Sequence, residues 1–93
     1  MIEVRVQEEV LDYLRKLPPE PRHALRLAIK DLAHERGDIR ALTDDLEGFC
    51  RLRVGCYRVI FEYEMIAGKR TATCVFVGAR RWVYEAFQSR LME

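Results

Sequence analysis

The sequence is poor in the residues that build metal sites and disulfide frameworks. Only three cysteines and two histidines occur among 93 residues, and none stands in a C-x-x-C or mixed His/Cys ligand spacing. Because the cysteines are odd in number, we expect Cys50, Cys56 and Cys74 to be small apolar side chains in a reducing compartment. The sequence therefore predicts no disulfide, no metal and no cofactor.

Long hydrophobic runs are also missing. The longest uncharged apolar stretch, TATCVFVGA, is far shorter than the roughly 20 residues that span a bilayer, and the N-terminal MIEVRV has no signal-peptide core. The hydrophobic fraction of 49% and the charged fraction of 33% are typical of a folded domain. A chain of this length supports one core. We expect a single cytosolic domain over residues 1–93 that does not associate with a membrane.

The spacing of apolar residues changes from a helical to a strand period near the middle of the chain. The alternating segment IEVRV predicts a first strand, and two helical stretches follow on either side of Pro18 and Pro19. The second of these helices is expected to stop at Gly37. Residues 37–49, rich in Asp and Gly, predict a connecting loop.

Beyond residue 49 the alternation has a period of two, which predicts strands. The expected elements are strands Cys50–Val54, Tyr57–Glu64 and Thr71–Val77 and a last helix at about Arg81–Leu91. The resulting order β-α-α-β-β-β-α predicts an α+β domain. Its sheet would be four-stranded and mostly antiparallel, with an N-terminal helix hairpin and a short C-terminal helix. Helices on one sheet face would leave the other face open.

Basic residues are concentrated in the second half of the chain. The net charge of the whole is +1, yet residues 46–84 carry seven Lys or Arg against three Glu, a net charge of +4. A two-residue type II′ turn at Gly55 sets a register that places Arg53 opposite Arg58 and Arg51 opposite Ile60. Side-chain alternation then separates a core face from a polar face of this hairpin. The core face holds Leu52, Val54, Tyr57, Val59, Phe61 and Tyr63, and the polar face holds Arg51, Arg53, Arg58 and Glu62.

Arginines placed opposite one another cost some tenths of a kcal/mol, roughly the scale of a cross-strand pair. One interpretation is a solvated face neutralised by Glu62 and nearby loop acids. The other is an anion site, which we favour because guanidinium groups donate in pairs to phosphate and keep their charge.

The segment VFVGARRWVY extends this interpretation. Arg80 and Arg81 follow the third predicted strand and can approach the arginines from the end of the sheet. Tyr84 and Trp82 are candidates for stacking on bases, which suits single-stranded RNA. The alternative for both aromatic side chains is packing between helix and sheet.

Two segments, LEGFCRLRVGCYRVIFEYE and CVFVGARRWVYEAF, resemble the RelE/ParE superfamily of toxins from type II toxin–antitoxin systems. That family typically shows Leu-x-Gly, an Arg-[LI]-Arg-x-Gly-[DN]-Tyr-Arg hairpin and a closing Gly-His-Arg-Arg-x-x-Tyr. The likeness spans nearly the whole chain and implies a single RelE-like domain. The positions that match the family's catalytic residues are Arg51, Arg53, Arg58, Arg80, Arg81 and Tyr84.

The resemblance implies a bacterial toxin that is a ribosome-dependent mRNA endoribonuclease (an mRNA interferase) and inhibits translation. It would act without metal, by attack of a 2′-hydroxyl on the adjacent phosphate. The partners implied are a cognate antitoxin, mRNA and the ribosome. Two alternatives stay open: a ParE-like inhibitor of DNA gyrase without nuclease activity, and a degenerate module that only binds an antitoxin.

The sequence departs from the family pattern at two positions of the motif. Ala79 stands where the family has His, which removes the usual general base, and Cys56 stands where an acid is common. Tyr84, or Glu62 with a raised pKa, would then have to accept the proton. The near-neutral net charge is a third difference, since many ribosome-targeting members are strongly basic.

Overall fold

The computed structural model describes residues 1–93 and has the α+β organisation expected from the sequence. Its elements are β1 (Glu3–Val6), α1 (Glu8–Arg15), α2 (Pro19–Asp31), β2 (Asp38–Ala41), β3 (Cys50–Val54), β4 (Tyr57–Ile66), β5 (Lys69–Ala79) and α3 (Val83–Leu91). Short 3₁₀ turns lie at Leu32–His34 and Asp44–Leu46. The strand order is β1-β5-β4-β3-β2; β1 runs parallel to β5 and the other pairs are antiparallel.

The sheet has five strands, so the prediction of a four-stranded sheet with a plain loop at residues 37–49 was wrong. The strand β2 pairs with β3 along its whole length, from Asp38 opposite Arg53 to Ala41 opposite Cys50. Its sequence DIRA contains one apolar residue of strand-forming type, too little for a sequence signal. The hydrogen bonds that make it a strand come from β3, which lies on the far side of the 3₁₀ turn.

The helix hairpin packs on one face of the sheet, as predicted. The break between α1 and α2 covers residues 16–18, immediately before Pro19, because proline cannot continue a helix. The main core lies between these helices and the sheet. It consists of Val10, Leu14, Leu25, Ile29, Leu32, Leu52, Val59, Phe61, Ala72, Cys74 and Val77.

The predicted helix stop at Gly37 was wrong. The helix α2 ends at Asp31, and the residue in the left-handed conformation after the following 3₁₀ turn is Glu35, with φ of 53°. Gly37 directly precedes β2, and a glycine is needed there for a different reason. Its φ is 129°, and a Cβ atom there would lie 2.7 Å from Cδ1 of the buried Leu52.

We expect Gly37→Ala to lower the free energy of unfolding by about 3 kcal/mol, because it adds backbone strain to an overpacked contact with Leu52. Gly68→Ala is the matched control: its φ is 77°, but no atom lies within 4 Å of the added Cβ. The free energy of unfolding of that control should fall by only about 1 kcal/mol, because it gains backbone strain but no overpacked contact. Urea unfolding measures both, and an equal loss in the two variants would contradict the role given to Leu52.

A second, smaller core lies on the opposite sheet face, so the expectation of an open face was wrong. The helix α3 packs there, and its core residues are Leu46, Ile60, Val83 and Phe87. A β-bulge contributes to this core. The register of β4 and β5 shifts between Ile60 and Phe61, and both Val75 and Phe76 pack against the α3 side. The Phe76 and Phe87 rings lie 5.4 Å apart.

The three cysteines are all free, and they differ in exposure. Cys74 is the apolar filler expected from the sequence, and burial raises its thiol pKa to about 12. Cys50 is half-buried, and burial raises its pKa as well. Cys56 is exposed at the tip of the β3–β4 hairpin, where it fills no core. No helix of the protein has the length and apolarity needed to cross a membrane.

Candidate nucleic-acid interface

The hairpin of β3 and β4 has the register that was predicted by pairing residues outward from the turn at Gly55. Gly55 has φ of 59° and Cys56 does not have positive φ, as a type II′ turn requires. Arg53 lies opposite Arg58, and Arg51 lies opposite Ile60. These pairings place Arg51, Arg53 and Arg58 on one side of the sheet, which we call the arginine face. It is the α3 side, because Ile60 belongs to the α3 core.

Arg58 is nearly buried, with 8% of its surface exposed. Its Nη1 donates to the carbonyl oxygens of Gly55 and Tyr57, both at 2.9 Å. The turn therefore fixes the guanidinium by neutral partners, and the ion pairs of this region involve only Arg51 and Arg53. A buried cation without a counter-ion is costly in an apolar surrounding. A guanidinium fixed in this way, without a counter-ion, is positioned to bind an anion.

Arg51 is equally buried but has an internal partner. Its Nη1 donates to the carbonyl oxygen of Asp38 at 2.8 Å and to Oδ1 of the same residue at 3.0 Å. Arg53 lies at the outer limit of an ion pair, 3.9 Å from Oδ2 of Asp38, and its side chain is 55% exposed. Hydrogen bonding from Arg51 and the charges of the nearby arginines lower the pKa of Asp38. Of the two, Arg53 is the arginine accessible to a ligand.

The residues after β5 lie against the tip of the hairpin. The backbone N–H of Arg80 donates to the carbonyl oxygen of Cys56 at 2.8 Å, which joins the two segments. Arg80 and Arg81 are both exposed, and neither forms an ion pair. Tyr84 is half-buried against the α3 core. Trp82 is 66% exposed, so the alternative of packing between helix and sheet does not apply to it.

This arrangement is suited to a phosphodiester. One fixed guanidinium and one exposed guanidinium face each other on adjacent strands, and two further exposed arginines follow the strand that borders them. No group of three or more His, Cys, Asp or Glu side chains is placed to hold a metal ion. The site thus offers positive charge and hydrogen-bond donors, with two aromatic rings in the same segment as Arg80.

Comparison with solved structures identifies the architecture. No protein-family model matches the chain, and no curated protein matches it. The toxin–antitoxin complex RelBE2 from Mycobacterium tuberculosis contains a chain that superposes with a TM-score of 0.71 at 27% identity, over 85% of this chain and 98% of that one. By its fold and this likeness, the chain belongs to the RelE/ParE toxin superfamily.

Two further RelE/ParE structures share the fold at lower identity. A YoeB/ParE toxin from Agrobacterium tumefaciens has a TM-score of 0.63 at 10% identity, over 80% of this chain and 93% of that one. The toxin–antitoxin complex RelB-RelE from Methanococcus jannaschii has a TM-score of 0.61 at 19% identity, over 89% of this chain and 98% of that one.

Glu62 lies apart from the arginines of this RelE/ParE chain, although it shares their sheet face. It is paired with Thr73 on the other side of Ile60, and the α3 core lies between it and Arg58. It lines a cleft with residues of α3, including Phe87 and Arg90. Desolvation, and then the charge of Glu64, raises the pKa of Glu62. The raised pKa expected from the sequence is present, but in a place that does not suit proton transfer at the arginines.

The raised pKa of Glu62 predicts a pH-dependent stability. The folded state holds the Glu62 proton more tightly than the unfolded chain, so its stability falls as pH rises from the ordinary glutamate value through the raised one. Glu62→Gln removes this loss. We expect the variant to gain free energy of unfolding relative to wild type at pH 7 and no such gain at pH 3.5. Urea unfolding at both pH values measures it, and Glu47→Gln, exposed in the loop, controls for the lost charge.

Two residues of the site were missed from the sequence because β2 was missed. Asp38 and Arg40 lie two residues apart on β2, opposite Arg53 and Arg51, and so share the arginine face. The signal available was the alternation of charged and apolar residues in DIRA, which is too short to stand out among the loop residues around it.

Proposed function

We propose that the chain is the toxin of a type II toxin–antitoxin system and that it cuts mRNA on the ribosome. The observation that carries the nuclease proposal is Arg58, a nearly buried guanidinium held by two carbonyl oxygens and paired with no carboxylate. Arg53, opposite it, adds a second positive group that is 55% exposed. The toxin role is supported by the likeness to the RelBE2 complex at 27% identity.

In the proposed reaction, the 2′-oxygen of a ribose attacks the adjacent phosphorus and the bond to the 5′-oxygen breaks. The 2′-hydroxyl gives up its proton and the 5′-oxygen gains one, which leaves a 2′,3′-cyclic phosphate and a 5′-hydroxyl. Negative charge grows on the phosphate oxygens at the pentavalent stage. Arg58 and Arg53 stabilise that charge, and Arg80 and Arg81 hold the strand. Tyr84 is our candidate for the proton transfer.

A ribosome assay tests this proposal. Translating ribosomes are incubated with the purified protein, and primer extension locates cuts in the mRNA. We expect cuts within the codon in the A site, in the presence of a metal chelator that leaves the ribosomes intact. Intact mRNA at micromolar protein would overturn the nuclease proposal. Growth arrest of cells after expression of the protein is induced would then show whether the chain is still a toxin.

Inhibition of DNA gyrase is the second candidate, because the arginine face contains no side chain with an ordinary pKa near neutrality. No histidine lies beside these arginines, the carboxylate among them, Asp38, is bound to Arg51 with a lowered pKa, and Glu62 lies apart from them. A poison that only binds needs no such group. A supercoiling assay distinguishes the two functions: loss of supercoiling without mRNA cuts favours gyrase inhibition.

A cognate antitoxin is the proposed partner, and the proposed compartment is the cytoplasm. Two of the structural relatives are toxin–antitoxin complexes. The exposed arginines would favour an acidic or amphipathic segment of such a partner, which would neutralise and block the site together. Protection of growth by co-expression of an adjacent acidic reading frame supports this assignment.

A further inference from the structure

The strand β2 brings two charged side chains of opposite sign to the arginine face. Asp38 lies directly opposite Arg53, and Arg40 lies directly opposite Arg51. Because cross-strand partners share a face, both side chains project on the α3 side of the sheet. The edge of the face is therefore formed by β2, at the outer limit of the sheet.

Asp38 and Arg51 form an ion pair in which the arginine is buried and the carboxylate is half-exposed. Both a backbone oxygen and a carboxylate oxygen of Asp38 accept from the same Nη1 of Arg51, at 2.8 Å and 3.0 Å. The Arg51 side chain is only 10% exposed. The carboxylate thus occupies Nη1, one of the Arg51 groups that would donate to a phosphate, and its charge offsets that of the guanidinium.

Arg40 is in the opposite situation. It is exposed, and the ion pairs of β2 are made by Asp38 alone. It lies two strands across and two residues along from Arg58, about 12 Å between Cα atoms at the ordinary strand spacing and rise. The α3 side of the sheet is therefore bordered by the exposed Arg40 on β2 and the nearly buried Arg58 on β4, with the exposed Arg53 on the strand between them.

We propose that the two charged residues of β2 give the arginines of this face two different roles. Asp38 neutralises Arg51, and Arg40 supplies the phosphate contact at the sheet edge, so that a single strand of RNA runs diagonally across the strands, from Arg58 past Arg53 to Arg40. The ligand class is the phosphodiester backbone of single-stranded RNA. This inference deepens the nuclease proposal and rests on it.

The test of Arg40 is the salt dependence of binding to a short single-stranded RNA whose 2′-hydroxyls are methylated so that it cannot be cut. Removing one phosphate contact lowers the log–log salt slope by about 0.7 and weakens binding about fivefold at 0.1 M salt. We expect this change for Arg40→Gln. Arg5→Gln is the matched control, since Arg5 is an exposed arginine without an ion pair on the same sheet face, at the opposite edge on β1. It should leave the slope unchanged.

The test of Asp38 uses Asp38→Asn, which keeps an oxygen to accept from Arg51 and leaves the backbone acceptor in place. The variant removes only the charge that neutralises Arg51. We expect tighter RNA binding, by about fivefold at 0.1 M salt, with a salt slope steeper by about 0.7. The gain should disappear in the double variant Asp38→Asn with Arg51→Gln. A merely structural role for Asp38 would instead weaken binding, and unfolding midpoints confirm that each variant is folded.

The outcomes separate this inference from the proposed function. Equal salt slopes for Arg40→Gln and Arg5→Gln, or an unchanged slope for Asp38→Asn, overturn the inference. The absence of salt-dependent RNA binding by the wild type also overturns it. In each case, A-site cuts in the ribosome assay would leave the nuclease proposal standing.

Discussion

Replacing Arg58 by glutamine is expected to lower the single-turnover rate of mRNA cutting on ribosomes by about 10²–10³-fold, the usual cost of losing a prepositioned group that stabilises charge in the transition state. The effect is large because Arg58 is nearly buried and held by carbonyl oxygens of the turn. A guanidinium fixed before the reaction needs no reorganisation as charge develops. Arg58→Lys should recover only part of the rate, since an ammonium group lacks the planar pair of donors.

Arg5→Gln controls for the loss of a charge on the same sheet face and should cut within about twofold of wild type, since surface charges contribute little at a distance. Thermal unfolding must show that Arg58→Gln is folded at the assay temperature. Wild-type rates from a folded Arg58→Gln protein would remove the main support for the nuclease proposal.

Replacing Phe61 by alanine is expected to lower the free energy of unfolding by about 3–5 kcal/mol, the cost of a large cavity in a packed core. Phe61 is fully buried between the sheet and the α1–α2 hairpin and contacts the Tyr63 ring edge-on at 5.3 Å. It also lies at the register shift of β4 and β5, opposite Cys74. The loss is a large fraction of the 5–15 kcal/mol that typically stabilises a domain.

Urea unfolding followed by circular dichroism measures this loss. Met65→Ala, on the same strand but 68% exposed, is the control and should change the free energy of unfolding by less than about 0.5 kcal/mol. A change below about 1 kcal/mol for Phe61→Ala would mean that the core collapses around the site. That result would contradict the close packing inferred at the bulge.

The hairpin of β3 and β4 could be predicted in detail because its information is local. A glycine at the first turn position selects the turn type, and the turn type sets every pairing outward from it. The opposition of Arg53 and Arg58 followed from counting, and the structure has that pairing. The bounds of β3 were also correct, since Cys50–Val54 lies between two turns.

The elements that were mispredicted depend on distant partners. The strand β2 has four residues, and only its pairing with β3 distinguishes it from a loop. The α3 core needs Ile60, Leu46 and Phe87 to meet from three separate segments, so its place over the arginine face could not be read from any of them. The separation of Glu62 from Arg58 by this core follows from the same packing.

By itself, the sequence determined which side chains share a strand face, because alternation and turn type act within a few residues of each other. Only the tertiary structure decided which arginines are free, because that depends on what lies across the sheet. Asp38, thirteen residues from Arg51 along the chain, neutralises one of them, and carbonyl oxygens hold another without cancelling its charge. Charge is a property of each residue alone, whereas neutralisation depends on which residues the fold brings together.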